Sequence, residues 1–74
     1  MDPARLKITF PLDTEPELLD LAVESGLGGM GSAYRGAEDR VIFLHRFEWP
    51  YKLIKAQLDQ MKEDQEGFSW EIAI

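Results

Sequence analysis

Residues 40–48 have the sequence RVIFLHRFE, and this stretch decides the fold because it is the longest strand that the pattern predicts. Residues 41–44 (VIFL) are all apolar, so both faces of that strand would be apolar, although a strand covered on one side needs only one apolar face. Counting every second residue back from Phe47 places Phe43 on the face toward the helices. The same count leaves Ile42 and Leu44 on the open face, where we expect an apolar centre.

The residues immediately before this strand predict a hairpin. Residues 36–39 (GAED) form a turn-type segment, and a short strand is expected from Ser32 to Arg35. If residues 32–35 do not pair, the sheet has three strands in the order β-α-β-α-β instead of four.

The residues N-terminal to the hairpin predict a strand and a helix. Residues 5–12 alternate apolar and more polar side chains, as in a strand with one buried face. Thr14 and Glu17 fit a capping box for a helix that ends at Gly26, a residue suited to a left-handed C-cap. The apolar stripe of this helix consists of Leu18, Leu19, Ala22 and Val23.

The residues C-terminal to the hairpin predict a second helix and a last strand. Pro50 suits the first turn of the helix, and Gly67 ends it. Residues 68–74 again alternate apolar and polar side chains. The apolar residues of this helix recur at spacings of three and four: Tyr51, Ile54, Leu58 and Met61.

Taken in order, these elements predict a single α/β domain over residues 1–74, of the α+β sandwich type. The order β-α-β-β-α-β with right-handed crossovers gives a four-stranded sheet with two helices on one face, which is the ferredoxin-like arrangement. The chain has 74 residues, so it is near the lower size limit for a domain with one core.

Composition and charge restrict the possible classes of function. The chain has no cysteine, which excludes disulfides and thiolate zinc sites. Fourteen acidic and eight basic residues give a formal charge of −6, which disfavours nonspecific binding to nucleic acid and to anionic membranes. No apolar run approaches the ~20 residues that span a bilayer. We expect a cytoplasmic protein, in the host cytoplasm if the gene is viral.

No motif predicts catalysis, a metal site or a cofactor. Residues 26–31 (GLGGMG) match G-x-G-x-x-G, but nucleotide binding needs this loop between a strand and a following helix, whereas here it follows a helix. His45 is the only histidine, and no nucleophile motif accompanies it. We expect a flexible loop formed by Gly28, Gly29, Met30 and Gly31.

Two surfaces are candidates for interaction with a partner. An apolar centre with a charged rim is typical of an interface. The open sheet face is expected to carry Arg5, Lys7, Arg40, Ile42, Leu44 and Arg46. The helix face is expected to carry acidic residues, chiefly Glu15, Glu17, Asp20, Glu24, Asp59 and Glu63.

The element order resembles the RNA-recognition motif family in topology alone. That family stacks bases on aromatic side chains on the two central strands of its open face. On the face assignment above, no aromatic residue occupies those positions, which are Arg5, Lys7, Thr9, Ile42, Leu44 and Arg46. No family is therefore assigned.

These observations predict a non-catalytic protein-interaction module, such as a small regulator or inhibitor of a larger protein that handles nucleic acid. Its partner is a protein of unknown identity, and a homodimer through the open sheet face is a further possibility. The alternative is a nucleic-acid-binding domain that uses the cationic sheet face. A more remote alternative is a small enzyme that holds an anion or nucleotide with its glycine-rich segment.

Overall fold

The computed structural model describes residues 2–73, which form four strands and three helical segments. Predicted strand residue Ile74 lies outside the described residues. The elements are, in order, β1 (Arg5–Thr9), α1 (Pro16–Glu24), α2 (Gly26–Gly29), β2 (Gly31–Arg35), β3 (Val41–Phe47), α3 (Tyr51–Asp64) and β4 (Ser69–Ala73).

The four strands form one antiparallel sheet in the order β2-β3-β1-β4, with β1 and β3 in the centre. The predicted strand at residues 32–35 pairs with β3, so the three-stranded alternative is wrong. The predicted α+β class is confirmed. The additional segment α2 makes the element order β-α-α-β-β-α-β, which departs from the predicted order.

Both long helices lie on the same side of the sheet. Asp20 of α1 forms an ion pair with Arg35, and Arg35 lies opposite Ile42 in the β2–β3 register. Asp59 of α3 accepts a hydrogen bond from the Trp70 indole, on the same face at the other edge of the sheet. Within residues 2–73, the opposite face of the sheet is therefore free of long helices.

The core fills the space between the sheet and the helices. Buried side chains from both central strands meet apolar residues of α2 and α3. The buried cluster consists of Leu6, Ile8, Leu27, Met30, Ile42, Leu44, Ile54, Leu58 and Phe68. Because Ile42 and Leu44 lie opposite Ile8 and Leu6 in the register, they belong to the helix-facing side.

The expected position of Ile42 and Leu44 on the open face is therefore wrong, and a β-bulge explains the error. Ser32 pairs with Arg46 and Ala33 with Leu44, so β3 contains one more residue than β2 at this point. A bulge places two successive residues, here His45 and Arg46, on one face. Phe47 consequently lies on the same side as Leu44, three residues away, and a strict count of two fails.

The ends of α1 only partly follow the prediction. The helix begins at Pro16, whose fixed φ suits the first helical position, and Glu15 at the N-cap makes no side-chain capping hydrogen bond. The predicted capping box at Thr14 and Glu17 is therefore wrong. Gly26 adopts φ +61° directly after the C-cap residue Ser25, as predicted.

The glycine-rich segment is not an open loop. Gly28 and Gly29 belong to the tight turn α2, whose four residues all have positive φ, so its backbone is left-handed and not that of a regular α-helix. Met30 is buried in the core, and Gly31 begins β2. A side chain at Gly31 would overlap the main-chain carbonyl oxygen of Arg46, so this glycine allows the close approach of the strands at the bulge.

Candidate interaction surfaces

The open sheet face carries polar and aromatic side chains instead of the expected aliphatic patch. Ile42 and Leu44 are both 0% exposed, so neither is available to a partner. The residues that the registers place on this face are Arg5, Lys7, Thr9, Ser32, Tyr34, Val41, Phe43, His45, Arg46, Ser69, Glu71 and Ala73. Phe43 on a central strand contradicts the expectation that this face has no aromatic residue there.

The aromatic side chains of the open face pack against each other. The rings of Tyr34 and Phe43 stack with their centroids 5.4 Å apart, and the guanidinium of Arg5 lies 5.4 Å from the centre of the Phe43 ring. Arg5 Nη1 also donates a hydrogen bond to the Tyr34 hydroxyl oxygen at 2.9 Å. The His45 ring lies 5.3 Å from that of Tyr34. Phe43 thus packs against side chains of both neighbouring strands and is half-buried.

The turn between β2 and β3 covers one end of the open face. A Cβ built on Gly36 would lie 2.9 Å from side-chain atoms of both Val41 and Phe43, and Val41 is buried. Glu38 of this turn forms an ion pair with Lys7 at 3.4 Å. Lys7 also lies 3.8 Å from Glu71 on β4, so two carboxylates offset its charge.

The remaining cations expected on this face differ in their availability. Arg40 lies in the turn before β3, not in the strand, with a positive φ of 65°. Its Nη1 donates to the main-chain oxygen of Phe10 at 3.0 Å, which fixes it to the fold. Arg46 is exposed and lies 4.0 Å from Glu48. Of Arg5, Lys7, Arg40 and Arg46, Arg46 presents the most exposed cation.

The acidic side chains expected on the helix layer are all exposed, but the acidic surface is concentrated on α1. No lysine, arginine or histidine occurs between Lys7 and Arg35, whereas five acidic residues do. Those five are Asp13, Glu15, Glu17, Asp20 and Glu24. Helix α3 mixes Asp59, Glu63 and Asp64 with Lys52, Lys55 and Lys62. The predicted segregation of acidic and basic charge to opposite faces therefore holds for α1 and fails for α3.

Three leucines on the helix layer were not predicted as surface residues. Leu18 is 55% exposed, Leu21 57% and Leu53 54%. Leu18 was expected in the apolar stripe of α1, but that helix buries Leu19 instead. At about 100° per residue, Leu18 lies roughly 100° around the helix from Leu19. Its position at the flank of the apolar stripe was therefore the one sign in the sequence that it could be exposed.

The wheel positions of the three leucines differ, since Leu21 lies roughly 160° around α1 from the buried Leu19, on the outer side of the helix. Asp20 faces the β2 edge through Arg35, and Leu18 lies roughly 160° around α1 from Asp20. On α3, Asp59 faces the β4 edge, and Leu53 lies roughly 120° around the helix from it. The flanks that carry Leu18 and Leu53 thus point away from the two sheet edges.

Other site types have less support in the described part of the chain. Among residues 2–73, no group of three or more His, Asp or Glu side chains is arranged to hold a metal ion. An open depression of about 590 Å³ is lined by Pro11, Leu12, Asp13, Glu66 and Gly67. Its lining has two carboxylates and no cation. No helix between residues 2 and 73 has the length and apolar character needed to cross a membrane.

Comparisons with known proteins add no family to these observations. No protein-family model matches the sequence, and searches of curated proteins and of solved structures find no significant match.

Proposed function

We propose that this chain is a non-catalytic protein-interaction module that binds its partner through the helix layer. The binding region, called here the leucine–acid surface, consists of Leu18, Leu21, Leu53, Glu17 and Glu24. The observation that carries the proposal is the exposure of more than half of each leucine side chain beside exposed carboxylates. Single exposed leucines are common on protein surfaces, but two on α1 and one on α3, all on the same layer of the molecule, form a contact area.

Burial of the apolar area of the three leucines would stabilise a complex with a partner. Full burial of a leucine side chain is worth about 1.5–3 kcal/mol, so covering the exposed half of each leucine stabilises a complex by about 1 kcal/mol. Three leucines therefore contribute about 3 kcal/mol before contacts at the rim are added. This contribution is enough to make the leucines the centre of an interface whose rim is acidic.

The acidic rim supports a cationic protein as the partner. Nucleic acid and anionic membranes are repelled by α1, whereas a basic protein surface is attracted to it. Proteins that handle nucleic acid carry such basic surfaces, and a small acidic domain that occupies one acts as a regulator or inhibitor. We extend the proposal to this role in the cytoplasm, and we propose the ferredoxin-like arrangement as its scaffold, which the strand order and antiparallel pairing support.

The experiment compares quantitative affinity capture from the native cell by three forms of the chain. One is the natural sequence, one carries Leu18→Gln and Leu21→Gln, and the control carries Ile72→Thr. Ile72 is 55% exposed, as Leu18 is, but lies on the β4 edge strand. Glutamine is a good helix former and threonine a good strand former, so neither change opposes its local structure.

The expected result is a partner that the Ile72→Thr form retains and that the double leucine variant loses. Circular dichroism and urea unfolding verify that all three forms are folded. A partner captured equally by the double leucine variant would disprove the leucine–acid surface as the docking site.

A second candidate function, nucleic-acid binding through the open sheet face, is favoured by Tyr34 and Phe43, which lie together on that face. The contacts of Phe43 with Tyr34 and Arg5 weigh against it, because a base would have to displace one of them to stack on this ring. The homodimer expected through this face would have no aliphatic centre in its interface, since Ile42 and Leu44 are buried in the core of the monomer.

A further inference from the structure

We infer that the element of the partner that contacts the leucine–acid surface is a cationic amphipathic helix, lying across α1 and the start of α3. This inference rests on the proposed function, since it names the partner of the same surface. It is drawn from the spacing of the leucines, from the charges around them and from their distance from the sheet edges.

The spacing of the leucines fits a helical ligand. Leu18 and Leu21 are three residues apart on α1, which separates them by about 4.5 Å along the helix axis. A bound helix presents apolar side chains at i, i+3, i+4 and i+7, so its own repeat matches this separation. Leu53, near the start of α3, is the third exposed leucine of this surface.

The charges select a cationic ligand. Within residues 2–73, neither Glu17 nor Glu24 has an ion pair or a side-chain hydrogen bond, whereas Asp20 is paired with Arg35 and Asp59 accepts from Trp70. Their wheel positions put Glu17 and Glu24 within roughly 60° of Leu21 on the outer side of α1. A helix with lysine or arginine beside its apolar stripe would pair these two carboxylates.

The position of the surface disfavours an extended ligand. An extended peptide binds by adding a strand to the edge of a sheet, where main-chain groups are free. The edges here are β2 and β4, whereas the leucine–acid surface is formed by side chains of the helices α1 and α3. Main-chain groups inside these helices are bonded within the helix, so recognition depends on side chains.

The experiment uses three synthetic 18-residue peptides and the full-length chain labelled with ¹⁵N. The first peptide contains leucine and lysine at helical spacing. The second has the same composition, with leucine and lysine in strict alternation. The third is the first peptide with every lysine replaced by glutamate. Binding is measured by fluorescence anisotropy and located by chemical-shift changes of the backbone amides. The chain variants are Glu17→Gln with Glu24→Gln, Leu18→Gln with Leu21→Gln, and a charge-matched control, Glu63→Gln with Glu66→Gln.

The expected result is saturable binding of the first peptide alone, with shifts concentrated in α1 and the start of α3. The Glu17/Glu24 variant should bind on the order of 5-fold more weakly, and the leucine variant on the order of 30-fold more weakly. The Glu63/Glu66 variant should bind within about 2-fold of the natural sequence.

Equal binding of the alternating peptide, no binding of any peptide, or shifts on the open sheet face would overturn the inference. Failure here is distinguishable from failure of the proposed function. If cellular capture depends on Leu18 and Leu21 but no leucine–lysine helix binds, the leucine–acid surface is still the docking site, and a cationic helix is the wrong class of partner. If capture does not depend on these leucines, both proposals fail.

Discussion

Adjacent residues of β3 occupy two very different environments. Ile42 has no exposed surface and packs in the core with Ile8, whereas Phe43 projects to the open face against Tyr34 and Arg5. Arg46 also projects to the open face and is exposed. Ile42 is therefore a residue whose substitution alters stability, and Arg46 is one whose substitution alters only the surface.

Two substitutions to the same residue test this difference. Ile42→Thr keeps a β-branched shape but removes a buried methyl group and buries a hydroxyl, so we expect the free energy of unfolding to fall by about 2–4 kcal/mol. Arg46→Thr, on the same strand, should change it by less than about 0.5 kcal/mol. Urea unfolding followed by circular dichroism measures both. An equal loss in the two variants would contradict the placement of Ile42 in the core.

At the scale of the elements, local signals in the sequence located the helices and strands but did not determine the face of β3. The alternation in β1, the glycine after α1 and the proline before α3 each act on their own neighbours, and each was informative. The bulge depends on β2, where Gly31 lets the carbonyl of Arg46 approach. A glycine within a strand is the signal for such a bulge, but the predicted strand began one residue later, at Ser32.

The same limit applies to the candidate surface. The acidic residues of α1 were visible in the sequence, because charge does not depend on packing. The exposure of Leu18 was indicated only by its position at the flank of the apolar stripe, since Leu18 and Leu19 are equally apolar and the docking of α1 on the sheet decides which one is buried. The sequence therefore revealed the rim of the leucine–acid surface and missed its centre.

The connection from α1 to β2 provides a prediction about an element, using two glycines with similar backbone angles. Gly26 has φ +61° and Gly28 has φ +73°, so alanine is strained at both positions. A Cβ at Gly26 would overlap the carbonyl oxygen of Gly31, whereas a Cβ at Gly28 meets nothing within 4 Å. Gly28→Ala should therefore cost about 1 kcal/mol, and Gly26→Ala about 3 kcal/mol or more.

Thermal and urea unfolding of these two variants measure the difference. If Gly26→Ala does not fold, its loss of structure beside a folded Gly28→Ala form still supports the prediction. Equal, small losses in both variants would show that the connection rearranges without cost, and that the close contact between Gly26 and Gly31 does not hold α1 against β2.

At the scale of the whole molecule, the two faces of the sheet differ in what they offer a ligand. The helix layer has unpaired carboxylates and exposed leucines, whereas the open face has aromatic and cationic groups that largely contact each other. With a net charge of −6, the whole chain also repels a polyanion as it approaches. Both properties disfavour the binding of nucleic acid.

We therefore expect labelled single-stranded DNA and RNA to bind more weakly than a Kd of about 100 μM at physiological salt. A variant with Glu38→Gln and Glu71→Gln makes the test stringent, because it removes the two carboxylates that flank Lys7 on the open face. That variant should still bind weakly, since α1 keeps its acidic residues and Phe43 keeps its contacts with Tyr34 and Arg5. Anisotropy titrations at low and at physiological salt measure both forms. Tight, salt-dependent binding by the natural sequence, lost on Arg46→Thr, would instead identify the open sheet face as a nucleic-acid site.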